Sequence, residues 1–236
     1  MAEAPLPVGA LLLNWRQAAL TTQCLQDLLA VESVSMRVLV MDNGSGDDSA
    51  EVLRAQVGTA AAKGAPVEFV AFADNLGFCA AMNRGIAWAR ERGLPLVLLL
   101  NNDLRLPPDF LAPMVSVLQH DARAMAVGPT ILQPDGRVWS QGGSLGFHPN
   151  TLKLNGHGQQ PMPRGHGPEA VDFLPGTCLL LRRGAVEAVG GIDEEFFMYW
   201  EDVDLCRKLR ERGGTCIWLP WVQVVHAAGS SSGGGS

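Results

Sequence analysis

LVLLLNND, at residues 96–103, is a run of five apolar residues followed by three polar ones. Proline precedes the run at position 95 and follows it at positions 107 and 108, so it is short and sharply bounded. Such a run is typical of a strand buried on both faces of a parallel sheet. Because ligands of open α/β sheets bind beyond the carboxyl ends of the strands, the pattern predicts that Asn101, Asn102 and Asp103 border a binding site.

Asp103 ends this run, and an acid at this position has two explanations. Its carboxylate can hold Mg²⁺ or Mn²⁺, which proteins bind through one or two carboxylates together with substrate phosphates. The sequence Asn-Asn-Asp is also typical of a simple turn, since these residues tolerate tight turns and cap helices. The three residues alone do not decide between a metal site and a turn.

Strand and helix patterns alternate along the first half of the chain. The predicted strands are 8–14, 38–42, 67–72, 96–100 and 125–131, and the predicted helices are 17–30, 48–56, 75–92 and 108–119. This alternation predicts an α/β fold with a doubly wound, mostly parallel sheet flanked by helices. No G-x-x-x-x-G-K-[ST] loop is present and no G-x-G-x-x-G follows the first strand, which argues against P-loop NTPases and dinucleotide-dependent dehydrogenases.

The second half of the chain is less regular. Residues 133–168 are rich in Gly, Pro and His, and we expect an irregular functional loop there. Order returns at 171–182, a helical pattern starts at Glu201, and a pair of strands at 216–219 and 222–225 leads to His226. Residues 230–236 have the composition of a flexible Gly/Ser tail.

Composition limits the function classes. The chain has 236 residues, 47% of them hydrophobic, and a formal net charge of -6, so we expect one globular domain and no nucleic-acid partner. Five cysteines without a C-x-x-C pair favour reduced thiols in the cytosol. No apolar run approaches the length of a membrane span, so no transmembrane segment is expected.

Acids and one histidine stand where chemistry is expected. Asp103 and His226 offer one oxygen and one nitrogen to a divalent ion, although a partly buried histidine at a strand end is common without any metal. Glu201 and Asp202 begin a predicted helix, whose dipole lowers the pKa of an acid, whereas an apolar wall raises it. Either acid can take a proton from a sugar hydroxyl, and spacing does not choose between them.

Seven short motifs occur in an order that resembles glycosyltransferase family 2. They are Asn14-Trp15, Asp42-Asn43-Gly44-Ser45, Asn75-Leu76-Gly77-Phe78, Asn83-Arg84-Gly85, Leu100-Asn101-Asn102-Asp103, Pro175-Gly176 and Trp200-Glu201-Asp202-Val203-Asp204-Leu205. The set extends from Val8 to His226 and is most similar to the rhamnosyltransferase-like branch of that family.

This resemblance implies a GT-A fold and an inverting transfer of a sugar from a nucleoside diphosphate to a hydroxyl. It assigns Asp42 to the nucleobase or ribose, and Asp103 and His226 to Mn²⁺ or Mg²⁺. It makes Asp202 the general base with Glu201 beside it. The whole implied nucleotide-sugar set is Asn14, Asp42, Asn75, Gly77, Asn83, Asn101, Asn102 and Asp103, and Gly176 and Trp200 are implied on the acceptor side.

The resemblance also implies substrates and an organisation of the chain. dTDP-rhamnose is the first expectation for the donor and UDP sugars come next, with a surface polysaccharide or lipid-linked glycan as acceptor. The expected location is the cytoplasm, with peripheral association at the inner membrane face left open. Residues 1–229 would form one GT-A domain, with a nucleotide-sugar half at about 8–132 and an acceptor half at about 133–229.

The sequence departs from the family pattern at Asn101, where many members have a first acid, so a metal would meet one carboxylate fewer. Two other functions are considered beside a transferase. One is a catalytically silent module that binds sugar nucleotides. The other is a sugar-phosphate nucleotidyltransferase, which would need a Gly-rich basic loop where Asn14-Trp15-Arg16-Gln17 stands.

Overall fold

The computed structural model describes residues 4–147, 150–161 and 167–227. Its elements in chain order are β1 (Val8–Asn14), α1 (Ala18–Leu29), β2 (Met36–Asp42), α2 (Ser49–Ala62), β3 (Val67–Ala71), α3 (Gly77–Glu91), β4 (Leu96–Asn101), β5 (Leu104–Arg105), α4 (Leu111–His120), β6 (Ala124–Leu132), β7 (Val138–Ser140), β8 (Gly143–Phe147), β9 (Asn150–Leu154), β10 (Glu169–Val171), β11 (Cys178–Arg182), α5 (Arg183–Ala188), α6 (Glu201–Glu211) and β12 (Thr215–His226).

One central sheet has the strand order β10-β12-β6-β11-β4-β1-β2-β3. β3, β2, β1 and β4 are parallel to one another, and β12 is parallel to β6. The prediction of a mostly parallel sheet flanked by helices is confirmed. One feature was not predicted: β11 lies between β4 and β6 and runs antiparallel to both.

β4 is apolar at every position except its last, so both of its faces need to be buried. Helices cover the sheet on both sides. Leu96, Leu98 and Leu100 pack with α1, α2 and α4, whereas Val97 and Leu99 pack with α3, α5 and α6. This division follows from the two-residue period of a strand. Each fully buried leucine contributes about 1.5–3 kcal/mol relative to an exposed one.

The segment 133–168 was predicted to be irregular, and this prediction is wrong for much of it. β7 pairs with β6, and β8 and β9 form an antiparallel hairpin. The strand β8 was not predicted because it starts with glycine, which is uncommon in strands. A Cβ added at Gly143 would lie 2.0 Å from the ring of Phe173, so the close packing of that ring requires glycine.

Two further expectations concern the end of the chain. The predicted strands 216–219 and 222–225 are one strand, β12, whose register shifts between Leu219 and Gln223, where Pro220 interrupts the ladder. The predicted tail 230–236 lies outside the described residues. The division into halves at about 132 stays a prediction. Within the described ranges, no helix is long and apolar enough to cross a bilayer.

The strand ends at the carboxyl edge of the sheet carry the polar residues. In the ladders, Asn14 lies opposite Asp42, and Leu13 lies opposite Asn101. The last residue of β12, His226, pairs with Leu104 of β5, directly after Asp103. Parallel strands therefore bring motifs far apart in sequence to one edge, where ligands of α/β sheets bind.

Candidate active site

Asp42 is held by hydrogen bonds at the end of β2. Its Oδ1 accepts a hydrogen bond from Nδ2 of Asn14 at 2.7 Å and another from the hydroxyl of Ser45, and its Oδ2 accepts one from the Ser45 backbone N–H at 3.2 Å. Asn14 is 0% exposed and Asp42 is 2% exposed. These partners replace the water that a buried carboxylate loses. Contact of Asp42 with a nucleobase or ribose stays a prediction.

Asn43 ties the turn after β2 to the start of α3. Its Nδ2 donates to Asn75 Oδ1 at 2.9 Å and to the Gly77 carbonyl at 3.3 Å. Its Oδ1 accepts the Leu76 backbone N–H at 3.0 Å. Asn75 Oδ1 in turn accepts the Gly77 N–H at 2.9 Å. Asn43 thus connects the turn after β2 to Asn75 and Gly77, and contact of these residues with the nucleotide stays a prediction.

Asp103 and His226 come together as a pair. His226 Nε2 lies 3.1 Å from Asp103 Oδ1, and the Ala227 backbone N–H donates to the Asp103 carbonyl at 3.0 Å. Both side chains are buried. The edge of the Trp139 ring packs on the His226 imidazole, with 5.1 Å between ring centroids and 76° between planes. Trp139 and the backbone of β12 therefore hold the imidazole in place.

This pair fits a divalent cation as two of its ligands. Asp103 Oδ1 and His226 Nε2 would supply one oxygen and one nitrogen to such an ion. His226 Nδ1 is buried and has no hydrogen-bond partner among the described residues. Those residues contain no cluster of three or more candidate ligands, so substrate oxygens and water would complete the shell.

Asp202 and Glu201 begin α6. Asp202 Oδ2 accepts the Gly176 N–H at 2.9 Å, and its Oδ1 accepts the Val203 N–H at 2.8 Å. Burial raises the pKa of the Asp202 carboxyl, although these N–H groups oppose the rise. Gly176 therefore lies against the predicted base, and the Asn101 N–H donates to the neighbouring Thr177 carbonyl at 3.0 Å, which links this loop to β4.

Glu201 is buried on the other side of the helix start. Burial raises the pKa of its carboxyl to about 7, with the nearby Asp202 charge adding to the rise. Its Oε2 is buried and has no hydrogen-bond partner in the described part of the chain. At neutral pH the Glu201 carboxyl is therefore partly protonated, whereas an exposed glutamate would be ionised.

Four large side chains precede these acids and point into solvent. Phe197, Met198, Tyr199 and Trp200, here called the aromatic segment, are 57%, 47%, 64% and 58% exposed. Tyr199 and Trp200 both have left-handed backbones, with φ of 72° and 74°. This conformation is costly for aromatic residues, and such strain clusters at functional sites. The predicted role of Trp200 on the acceptor side stays a prediction.

The aromatic segment is fixed to the start of α3. The Phe78 N–H donates to the Phe197 carbonyl at 3.0 Å. Gly77 has φ of +78°, and a Cβ there would lie 2.8 Å from the Phe197 ring and 2.9 Å from its carbonyl oxygen. Glycine at this position permits the close approach of the segment to the helix.

Gly77→Ala tests this close approach. We expect the free energy of unfolding to fall by about 2–3 kcal/mol and transfer activity to drop, because backbone strain and a steric clash act together. Gly93→Ala is the control: Gly93 follows the same helix with φ of +66° and has no atom within 4 Å of an added Cβ. Urea unfolding of both variants separates the backbone strain, which both substitutions introduce, from the clash with Phe197, which only Gly77→Ala introduces. Equal losses in the two variants would contradict the role of Phe197.

Asn83 is used differently from the other predicted nucleotide residues. Its Nδ2 donates to the Ile192 carbonyl at 2.8 Å and to Glu194 Oε1 at 2.9 Å, and its Oδ1 accepts the Ile192 N–H at 3.0 Å. Asn83 thus anchors the loop that leads to the aromatic segment. A direct contact with the nucleotide stays a prediction, and a short N-R-G motif gives no sign of partners more than 100 residues away.

Three contributors to the site were not singled out from the sequence: Asn43, Trp139 and Thr21, whose hydroxyl donates to Asn14 Oδ1 at 2.7 Å. Asn43 stands inside a quoted motif, so its neighbours were a signal that could have found it. Trp139 lies in the segment predicted to be irregular, and Thr21 lies in a helix without any motif. Only the folded chain shows that these two side chains reach the carboxyl edge of the sheet.

Two solved structures with this architecture are glycosyltransferases of the GT-A type. The mannosyltransferase PcManGT from Pyrobaculum calidifontis, in complex with GDP-Man and Mn²⁺, aligns with a TM-score of 0.72 at 18% identity over 98% of this chain. GalNAc-T7 with UDP, GalNAc and Mn²⁺ aligns with a TM-score of 0.71 at 16% identity over 96% of this chain. The chain spans 59% and 44% of those two proteins.

Sequence relatives narrow the class. The profile of glycosyl transferase family 2 matches residues 14–190. An N-acetylglucosaminyl-diphospho-decaprenol L-rhamnosyltransferase of Mycobacterium tuberculosis is 34% identical over 83% of this chain and 68% of its own length. A dTDP-rhamnosyl transferase of Shigella flexneri is 24% identical over 70% of this chain and 54% of its own length. The chain belongs to glycosyl transferase family 2 and is a rhamnosyltransferase-like glycosyltransferase.

Proposed function

We propose that this enzyme transfers rhamnose from dTDP-rhamnose to a hydroxyl group of a glycan or lipid-linked acceptor, with inversion at the anomeric carbon. The observation that carries the proposal is the link between its two reactive parts. Asp202 bonds Gly176, the adjacent Thr177 bonds Asn101, and Asn101 stands two residues before Asp103. A candidate base and a candidate metal pair are therefore connected through the end of β4, as transfer between two substrates requires.

The donor side rests on Asp103 and His226. We propose that they hold Mn²⁺ or Mg²⁺, which when bound neutralises charge on the diphosphate leaving group. Asn101 adds no negative charge, so the substrate oxygens become more important as ligands. The relatives named for rhamnose transfer, and the two GT-A structures that contain Mn²⁺, support this choice of donor and cation.

The acceptor side rests on Asp202. Each of its carboxylate oxygens accepts one backbone N–H, which leaves further lone pairs for the acceptor hydroxyl. Burial raises its pKa, which makes it a stronger base than an exposed aspartate. As Asp202 takes the proton, the hydroxyl oxygen attacks the sugar from the face opposite the diphosphate, and a single displacement inverts the configuration.

Thermal unfolding with a panel of donors tests the proposal. We expect dTDP-rhamnose to raise the melting temperature in the presence of Mn²⁺ or Mg²⁺ but not with chelator, because a ligand that binds only the native state stabilises it. At 100 times the dissociation constant the gain is about 2.7 kcal/mol. A larger shift with a UDP sugar would replace the donor.

Product formation completes this test. Incubation with dTDP-rhamnose and lipid-linked N-acetylglucosaminyl diphosphate, the acceptor class in the name of the mycobacterial relative, should yield a product of inverted anomeric configuration by NMR. Donor binding without transfer to any glycan acceptor would favour the silent binding module. No shift with any nucleoside diphosphate sugar, in a chain shown to be folded, would overturn the proposal.

A further inference from the structure

A chain of buried hydrogen bonds runs across three strand ends, and Thr21 of α1 lies at its centre. The Thr21 hydroxyl donates to Asn14 Oδ1 at 2.7 Å and accepts a hydrogen bond from Asn102 Nδ2 at 2.9 Å. Asn14 passes the connection on through its Nδ2, which donates to Asp42. The order is Asn102, Thr21, Asn14, Asp42, and it connects the turn after β4, helix α1 and the ends of β1 and β2.

The hydroxyl of Thr21 is suited to this position because it both donates and accepts. A hydroxyl has one hydrogen and two lone pairs, so it can accept from the Asn102 amide while donating to the Asn14 carbonyl oxygen. Valine has the same shape but can do neither. Thr21 and Asn14 are completely buried, so no solvent water replaces the bond between them if it is lost.

The two ends of this chain belong to different parts of the donor site. Asp42 is assigned to the nucleoside, whereas Asn102 directly precedes Asp103, which pairs with His226. The Asn102 side chain bonds Thr21, so Thr21 holds the turn that carries the metal ligand. Without that bond, the turn would have to be ordered when the diphosphate binds, at a cost in affinity.

We propose that Thr21 is a positioning residue that couples nucleoside recognition to the metal-bearing turn. This inference rests on the proposed function. It predicts that Mn²⁺ and the nucleoside diphosphate strengthen each other's binding partly through Thr21, in addition to their direct contact. The hydroxyl does not touch the reacting atoms, so its loss acts on affinity and on metal dependence.

The test measures binding of UDP and dTDP by calorimetry, with Mn²⁺ and with EDTA, in the full chain. We expect Thr21→Val to weaken binding with Mn²⁺ by about tenfold and to reduce the ratio of the affinities measured with Mn²⁺ and with EDTA. Thr21→Ser restores the hydroxyl and should bind within about twofold of wild type. A role confined to stability would lower the melting temperature without changing either affinity.

Two further variants locate the effect. Thr59→Val is the matched control, because Thr59 lies on α2 and its hydroxyl donates to the Ala55 carbonyl of its own helix; its affinities should equal those of wild type. Asn102→Ala removes the same bond from the other side. Thr21→Val and Asn102→Ala combined should therefore weaken binding no more than either alone.

The outcomes separate the inference from the proposed function. If wild type binds UDP or dTDP and Thr21→Val binds it equally well, the coupling role of Thr21 is wrong and the proposed function stands. Additive losses in the double variant would also overturn the coupling. If wild type binds neither nucleotide with Mn²⁺, the proposed function fails and the inference fails with it.

Discussion

Asp202→Asn should reduce the turnover number for sugar transfer by about 10³-fold while leaving the dissociation constant of the donor nearly unchanged. A general base typically contributes about 10²–10⁴-fold, and an amide cannot accept the hydroxyl proton. The substitution preserves the shape of the side chain, but its NH₂ group faces one of the two backbone N–H groups that Asp202 now accepts. A small loss of stability is therefore expected as well.

Asp204→Asn is the control for this prediction. Asp204 lies in the same first turn of α6, carries the same charge and forms ion pairs with Arg207 and Lys208. Its loss should change activity by less than about twofold, because these ion pairs join residues of α6 to one another and do not involve the predicted site residues. Turnover and donor affinity are measured separately. An equal loss of donor binding and turnover in Asp202→Asn would remove Asp202 from the role of base.

Asp103→Asn should lower transfer by about 10²–10³-fold and abolish the stabilisation that Mn²⁺ adds to nucleotide binding. The charge of a metal ion on the leaving group is worth several kcal/mol in the transition state, and the neutral amide gives up the one carboxylate of the pair. The shape of the side chain and the turn is retained. Calorimetry of UDP and dTDP with Mn²⁺ and with EDTA checks the expectation without relying on activity.

His120→Ala is a suitable control for the paired variant His226→Ala. His120 is the last residue of α4 and lies on the surface, where its ring contacts Ser116 of the same helix. It is far from His226 in the sequence. We expect His226→Ala to lose the Mn²⁺ effect as Asp103→Asn does, and His120→Ala to retain it. If His226→Ala binds nucleotide with the same Mn²⁺ enhancement as wild type, the pair is a structural contact and the cation site lies elsewhere.

The elements of the first half were predictable because each has a local signal. β1 and β4 are short apolar runs with clear ends. α3 ends at Glu91, two residues before Gly93, and a glycine just after a helix is a typical stop signal. The place of β11 was not predictable in this way. Its apolar run is visible, but strand order depends on which neighbours remain free after the rest of the sheet has formed, and that is a property of the whole chain.

The contacts of the candidate site also divide into those that the sequence predicts and those that it does not. Asp103 and His226 were expected together from the motifs, and the structure brings them into contact. The hydrogen bond between Gly176 and Asp202 was not predicted, although both residues were singled out. Asn83 shows the limit, because its hydrogen bonds go to a loop that a local motif does not reveal. Thr21 shows a second limit: a threonine inside an ordinary amphipathic helix gives no sign in one sequence that it bridges two strand ends.

The position of β11 also has a consequence for folding. β6 is made before all three of its neighbours: β7 follows it closely, whereas β11 and β12 come much later in the chain. During synthesis, β4 and β6 therefore wait with open edges until β11 emerges to pair with both. Open edges associate with other chains, and pairing of distant segments is slow. Insertion of β11 is thus the step at which a nascent chain is most exposed to aggregation.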